Sequence, residues 1–236
     1  MSIKQFLQKF LLKERASSER YISYLRKKGI RIGEDVRIYV PTKTLIDEQY
    51  PWMIEIGNHV RIAQGVIILT HDYSWYVLKG MTGEVLGSSG KVNIGNNVFI
   101  GMNAIITAGV TIADNVIIGA GSVVTKDCLA NGIYAGNPAK KIMDIEEFYK
   151  RRRECQFTEA KALAREYFSC YGTIPDRDIF HEYFMLFSSF EEIQQNHIFF
   201  KKMENTKNSM NFLQTRKPLF DNFDCFIKSC FENDGV

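Results

Sequence analysis

The sequence predicts a mainly-β chain built on a parallel β-helix, with a short helical segment before it and an α-helical extension after it. Three observations predict this. First, every sixth residue from Ile94 is aliphatic: Ile94, Ile100, Ile106, Ile112, Ile118 and Val124. Second, a small or β-branched residue sits four places after each opener: Val98, Ala104, Val110, Val116, Ser122 and Cys128. A period of six is neither the 3.6 of a helix nor the alternation of an ordinary strand. It is the signature of short strands stacked into a coil. Third, 14 of the 17 phenylalanines lie after Met143, so that region needs a core or interface of its own.

Each six supplies one strand and one corner, and three sixes close a triangular coil. The openers then stack inside, about 4.8 Å apart from coil to coil. The residue four places on fits the narrow interior, and Gly at the second position relieves crowding where the backbone bends.

Residues 1–29 form the N-terminal helical segment. Ile3, Phe6, Leu7, Phe10 and Leu11 make one apolar stripe. Ser17 and Ser18 with Glu19 cap a second helix carrying Tyr21, Ile22 and Leu25, and Gly29 suits its C′ position. This basic segment packs on its own domain, so any membrane association is at most peripheral.

Residues 30–142 form the β-helix. Ile32-Gly33 and Val36 open it, Pro41 and Pro51 disturb the first coil, and the period recovers at Ile56-Gly57 through Ile62 and Ile68. The repeat stops at Asp72 and resumes at Ile94, so residues 72–93 leave the coil as a loop, the kind of element that often carries function. Residues 143–236 form the helical extension. Ile145 to Tyr171 reads as one helix ended by Gly172, and Pro175-Asp176 start another. Ser189 and Glu192 match a capping box. Glu204 to Lys217 reads as polar loop, and Asp221 as the cap of a last helix ending at Phe231.

The net charge of +3 implies no nucleic-acid partner, and no stretch reaches the roughly 18 apolar residues of a membrane span. The first thirteen residues do not read as a signal peptide. Five scattered cysteines fit reduced thiols, and a cytoplasmic location is expected.

The hexads, together with Ala135-Gly136-Asn137-Pro138-Ala139 directly after them, resemble the left-handed β-helix acyltransferases. The resemblance points in particular to the branch of galactoside, xenobiotic and polysaccharide O-acetyltransferases. It covers residues 30–142, and a similar helical tail occurs in some bacterial polysaccharide O-acetyltransferases. It implies left-handed coiling, a homotrimer with sites between subunits, acetyl-CoA as acyl donor, a saccharide acceptor and no metal. It also implies that His71 is the general base. A sugar hydroxyl is a poor nucleophile at neutral pH, whereas imidazole titrates near 6.5.

Further roles follow from the same resemblance. Gly101 or Met102 provides a backbone N–H for the developing oxyanion. Ala120, Thr125, Lys126 and Lys140 contact coenzyme A. Lys140 stands where an arginine is common in that family, so its phosphate contact is that of a point charge and not a bidentate one. Tyr73 and Trp75 are read from the residues as stacking on a sugar or pinning the loop. Asp72 or a backbone carbonyl orients His71. His59 is expected on a solvated face, with His181 and His197 as packing or surface residues.

The competing readings are an N-acetyltransferase on an amino sugar or xenobiotic amine, a carrier-dependent acyltransferase, and a non-catalytic scaffold. The Thr125-Lys126 pair and the closing segment favour coenzyme A over a carrier. A metal-dependent β-helix needs three histidines on adjacent coils, and only His59 and His71 lie there.

Overall fold

The hexads lay down one short strand apiece, and the chain visits three parallel faces in turn. The computed structural model describes residues 12–204 and 206–232. The apolar stripe expected from Ile3 to Leu11 lies outside the described residues. The first face holds Arg31–Ile32, Ile54–Ile56, Val92–Ile94 and Thr111–Ile112. The second holds Arg37–Ile38, Arg61–Ile62, Phe99–Ile100, Val116–Ile118 and Gly132–Ala135, with Lys140–Asp144 added antiparallel. The third holds Leu45–Ile46, Ile67–Ile68, Ile105–Ile106 and Val123–Val124.

The register stacks like on like. Ile32, Ile56, Ile94 and Ile112 form one column. Ile38, Ile62, Ile100, Ile118 and Tyr134 form the second. Ile46, Ile68, Ile106 and Val124 form the third. All are buried, and the interior between the three columns is the core of the coil. Burying each such aliphatic side chain contributes roughly 1.5–3 kcal/mol.

The corners explain several sequence choices. Asn97, Asn115 and Asn131 adopt left-handed backbone angles at one edge, and their side-chain amides hydrogen-bond up the stack at 2.8 and 2.9 Å. His59 takes the same left-handed position (φ 56°) one coil above Asn97. Its Nδ1 lies 2.9 Å from Asp35 Oδ2, and Arg61 grips the same carboxylate. His59 thus sits at a corner, as its place in the hexad implies, with its side chain 41% exposed; the ion-pair partner Asp35 is what the hexad did not show.

Helix α1 (Ser18–Lys28) closes the top of the core with Tyr21, Ile22 and Leu25. Ser17 caps it by accepting from the Arg20 N–H, and Gly29 (φ 109°) ends it. The loop expected at 72–93 carries order of its own. Helix α2 (Trp75–Thr82) lies within it, and His71–Asp72 pair antiparallel with Ser88–Ser89.

The described residues divide into two compact units, with the boundary between Phe148 and Tyr149. Helix α3 (Ile145–Tyr171) crosses that boundary, starts with Glu146 and Glu147 at its N-terminus and ends at Gly172 (φ 68°). The second unit has a separate aromatic core, in which Phe184 stacks on Phe199 at 4.7 Å and Phe187 meets Phe226 at 4.7 Å.

Three expectations for this unit change. Only a short 3-10 turn, Arg177–Phe180, follows Asp176. The segment read as polar loop contains helix α6 (Lys207–Thr215), capped by Thr206, after α4 (Phe190–Gln195) and α5 (His197–Met203). Asn222, not Asp221, caps α7 (Phe223–Phe231) by accepting from the Cys225 N–H. The capping box of Ser189 and Glu192 is present as read. Among the described residues no helix is long and apolar enough to cross a membrane.

Candidate active site

His71 leaves the coil just after the third-face strand Ile67–Ile68, where the loop begins. Its Nδ1 lies 2.6 Å from Oδ2 of Asp47, and the two side chains are 13% and 7% exposed. Asp47 follows the third-face strand of the coil above, Leu45–Ile46, and its own N–H donates to Ile68 O. Its carboxylate is surrounded by donors. Oδ2 accepts from the Thr70 N–H at 3.0 Å and the Thr70 hydroxyl at 2.5 Å, and Oδ1 accepts from the Gln49 N–H at 2.9 Å.

Burial opposes ionisation of Asp47, but the donors from Thr70, Gln49 and His71 outweigh it and hold the carboxyl below its ordinary value. An ionised Asp47 only accepts, so His71 Nδ1 is the donor of that bond. Nε2 then carries the lone pair. The ring is walled by Tyr50, edge-on at 5.4 Å, and by Tyr73, perpendicular at 5.1 Å. A largely buried imidazole with its tautomer set and one nitrogen free is equipped to take a proton from a hydroxyl.

The group that orients His71 is therefore Asp47, which the sequence reading missed. Asp72, the neighbour considered there, accepts from the Ser74 N–H instead. The strand register pairs Leu45–Ile46 with Ile67–Ile68 and sets Asp47 beside Leu69, two residues short of His71, at a spacing that the regular period does not give. Tyr73 donates its hydroxyl to Gln49 Oε1 at 2.7 Å, and its ring, still 60% exposed, stands 6.2 Å from Trp75. These two rings adjoin the histidine.

The remaining candidates fall on two edges of the coil. Thr125 and Lys126 follow a third-face strand and share the edge of His71. Gly101, Met102 and Ala120 follow second-face strands, and Lys140 pairs with Ala135 at the end of that face. One face, roughly 15 Å of extended chain, separates the two edges within a protomer.

Gly101 is corrected as an oxyanion donor. Its N–H is spent on Ile118 O at 2.8 Å, and a Cβ there would stand 2.6 Å from Ala120 N. Gly101 is required for the close approach of two coils. The Met102 N–H has no acceptor among the described residues, so it alone of that pair is free to donate. Ala120 and Gly121 are exposed, and a Cβ added at Gly121 would meet nothing. Their edge is open down to the backbone. Lys126 and Lys140 are exposed, with no acidic partner among the described residues. Also among those residues, no cluster of His, Cys, Asp and Glu is arranged to hold a metal.

Comparison with known proteins adds to this geometry. Residues 91–126 match the family model described as bacterial transferase hexapeptide (six repeats). The chain is 44% identical to protein CapG of Staphylococcus aureus over 124 residues, 52% of this chain and 71% of CapG. It is 38% identical to galactoside O-acetyltransferase of Escherichia coli K12 over 104 residues, 44% of this chain and 49% of that protein. Among solved structures it is 28% identical to a maltose O-acetyltransferase from Clostridium difficile 630. That likeness has a TM-score of 0.42 and covers 60% of this chain and 82% of the other. The chain thus spans about half the length of the galactoside enzyme and more of CapG.

Proposed function

The chain belongs to the hexapeptide-repeat acyltransferases, and from that premise we propose that it transfers an acetyl group from acetyl-CoA to a saccharide hydroxyl, with His71 as general base. The observation that carries the reading is the Asp47–His71 pair, at the point where the coil gives way to the loop. A scaffold has no use for a largely buried imidazole with a fixed tautomer.

The coil is taken as left-handed, as in that family, and the molecule as a homotrimer. Two features support the trimer. The candidate residues divide between two edges of one protomer, so a complete site needs the His71 edge of one copy beside the Met102 edge of another. Helix α2 also buries none of its residues, although Tyr76, Val77 and Met81 are 71%, 65% and 77% exposed. A second copy would cover that apolar surface.

Acetyl-CoA fits the residues present. Ala120 and Gly121 leave the backbone open to a thin chain, and Lys126 and Lys140 would meet phosphates as point charges. It supplies an acyl group already activated as a thioester. His71 Nε2 accepts the acceptor's hydroxyl proton as its oxygen bonds to the acyl carbon, Asp47 stabilises the imidazolium so formed, and the imidazolium returns that proton to the departing sulfur as the C–S bond breaks. The Met102 N–H of the neighbouring copy faces developing negative charge. Tyr73 and Trp75 offer ring faces to a sugar. Coenzyme A release against a panel of saccharides and amines tests the reading. His71→Ala is expected to lose roughly 10²–10⁴-fold in kcat, while His59→Ala stays near native. Native turnover in His71→Ala, or an amine outperforming every saccharide, would refute it.

A further inference from the structure

The second unit contains a groove of about 440 Å³ that the acetyl-transfer site does not use. Its walls carry cations without counter-charges. Arg216 donates to the carbonyls of Met185 and Ser188, both at 2.6 Å, and its Nε is buried with no acceptor among the described residues. Arg153 and Lys217 are exposed and form no ion pair among the described residues, and the Arg153 guanidinium lies 5.9 Å from the Tyr149 ring centre. Arg152 is the exception, held bidentate by Glu159 at 2.7 and 2.6 Å. No Asp or Glu lines the groove among the described residues. Burial lowers the pKa of Arg216, so an anion there would relieve a desolvated charge.

Apolar surface lies beside these cations. Tyr149 is 55% exposed and Phe212 49% exposed. The volume lies within the ~300–1,000 Å³ of small-molecule sites. The unit has no strand edge among its described residues to pair with an extended peptide. The ligand that matches is small, anionic and ring-bearing.

We propose that this groove binds a phosphorylated saccharide, with the phosphate on Arg153, Arg216 and Lys217 and the sugar ring against Tyr149 and Phe212. The choice of a sugar rests on the saccharide reading given above. The anion site rests on the unpaired cations.

The test is calorimetric titration of the full chain with glucose 1-phosphate, UDP-glucose, glucose, inorganic phosphate and hexaglutamate. Both phosphorylated sugars are expected to bind more tightly than glucose or phosphate. Arg153→Ala/Lys217→Ala, two surface changes, should weaken both by roughly tenfold or more. Tyr149→Ala should weaken glucose 1-phosphate but not phosphate. The proposal is overturned if neither phosphorylated sugar binds at millimolar concentration, if the double variant binds them unchanged, or if hexaglutamate is preferred. Acetyl transfer to a neutral sugar should be native in the double variant. A protein that binds sugar phosphates through these residues yet transfers no acetyl group would sink the proposed function and leave this inference standing.

Discussion

Asp47 Oδ2 and His71 Nδ1 stand 2.6 Å apart although 24 residues separate them in the chain. The contact joins two successive coils at one edge, and Thr70 and Gln49 fix its carboxylate end. If this carboxylate sets the tautomer, Asp47→Asn leaves a side chain of the same shape with no charge to hold Nδ1–H. The expected loss is roughly 10²–10⁴-fold in kcat, with coenzyme A affinity unchanged. Single-turnover acetyl transfer and a separate binding titration measure the two. A variant with native kcat would remove Asp47 from the mechanism.

Asp47 and Asp35 are both held below their ordinary values in the fold. In each, hydrogen bonds outweigh the opposing effect of burial, from Thr70, Gln49 and His71 for Asp47 and from His59 and Arg61 for Asp35. Groups depressed in this way contribute stability that is complete above their unfolded pKa, about 3.9, and lost as pH falls through the folded value. Urea unfolding from pH 6 to pH 3 should therefore show stability falling with pH. Asp47→Asn should flatten that dependence, and an unchanged slope would argue against the assignment.

The cysteines should separate by reactivity. Burial, with the charge of Asp127, pushes the Cys128 thiol up to about 12, and burial pushes Cys230 up to about 11. Cys170 and Cys225 are exposed. A disulfide reagent at mildly alkaline pH should label Cys170 and Cys225 rapidly, and Cys128 and Cys230 only on unfolding. Rapid labelling of Cys128 in native protein would mean that the last coil opens easily.

Sites shared between copies make a mixing experiment informative. His71→Ala lacks the base on one edge, and Ala120→Trp fills the open backbone of the other. Each alone should be inactive. Mixed trimers refolded from both should regain a fraction of native turnover, because some interfaces then pair two intact edges. Light scattering should report a trimer throughout. A monomer, or no recovery on mixing, contradicts a site built from two copies.

What the sequence by itself determined is the periodic part. The coil was legible because its rule is local: each hexad places one aliphatic inside, and stacking partners in the regular coils lie 18 residues apart, as Ile94 and Ile112 do. Helix α3 was legible because Gly172 ends it, and the start of the loop because the period stops beside His71. Tertiary structure alone decided the partners. The insertion around Pro41 and Pro51 changes the spacing, so that Ile46 pairs with Ile68, 22 residues on. No fixed period could then bring Asp47 to His71. Gly101 and Met102 looked equivalent in sequence, yet coil-to-coil hydrogen bonding consumes one N–H and leaves the other. The irregular coil and the aromatic core of the second unit have no repeat to read. Their contacts follow from side chains meeting across long separations, which only the folded chain specifies.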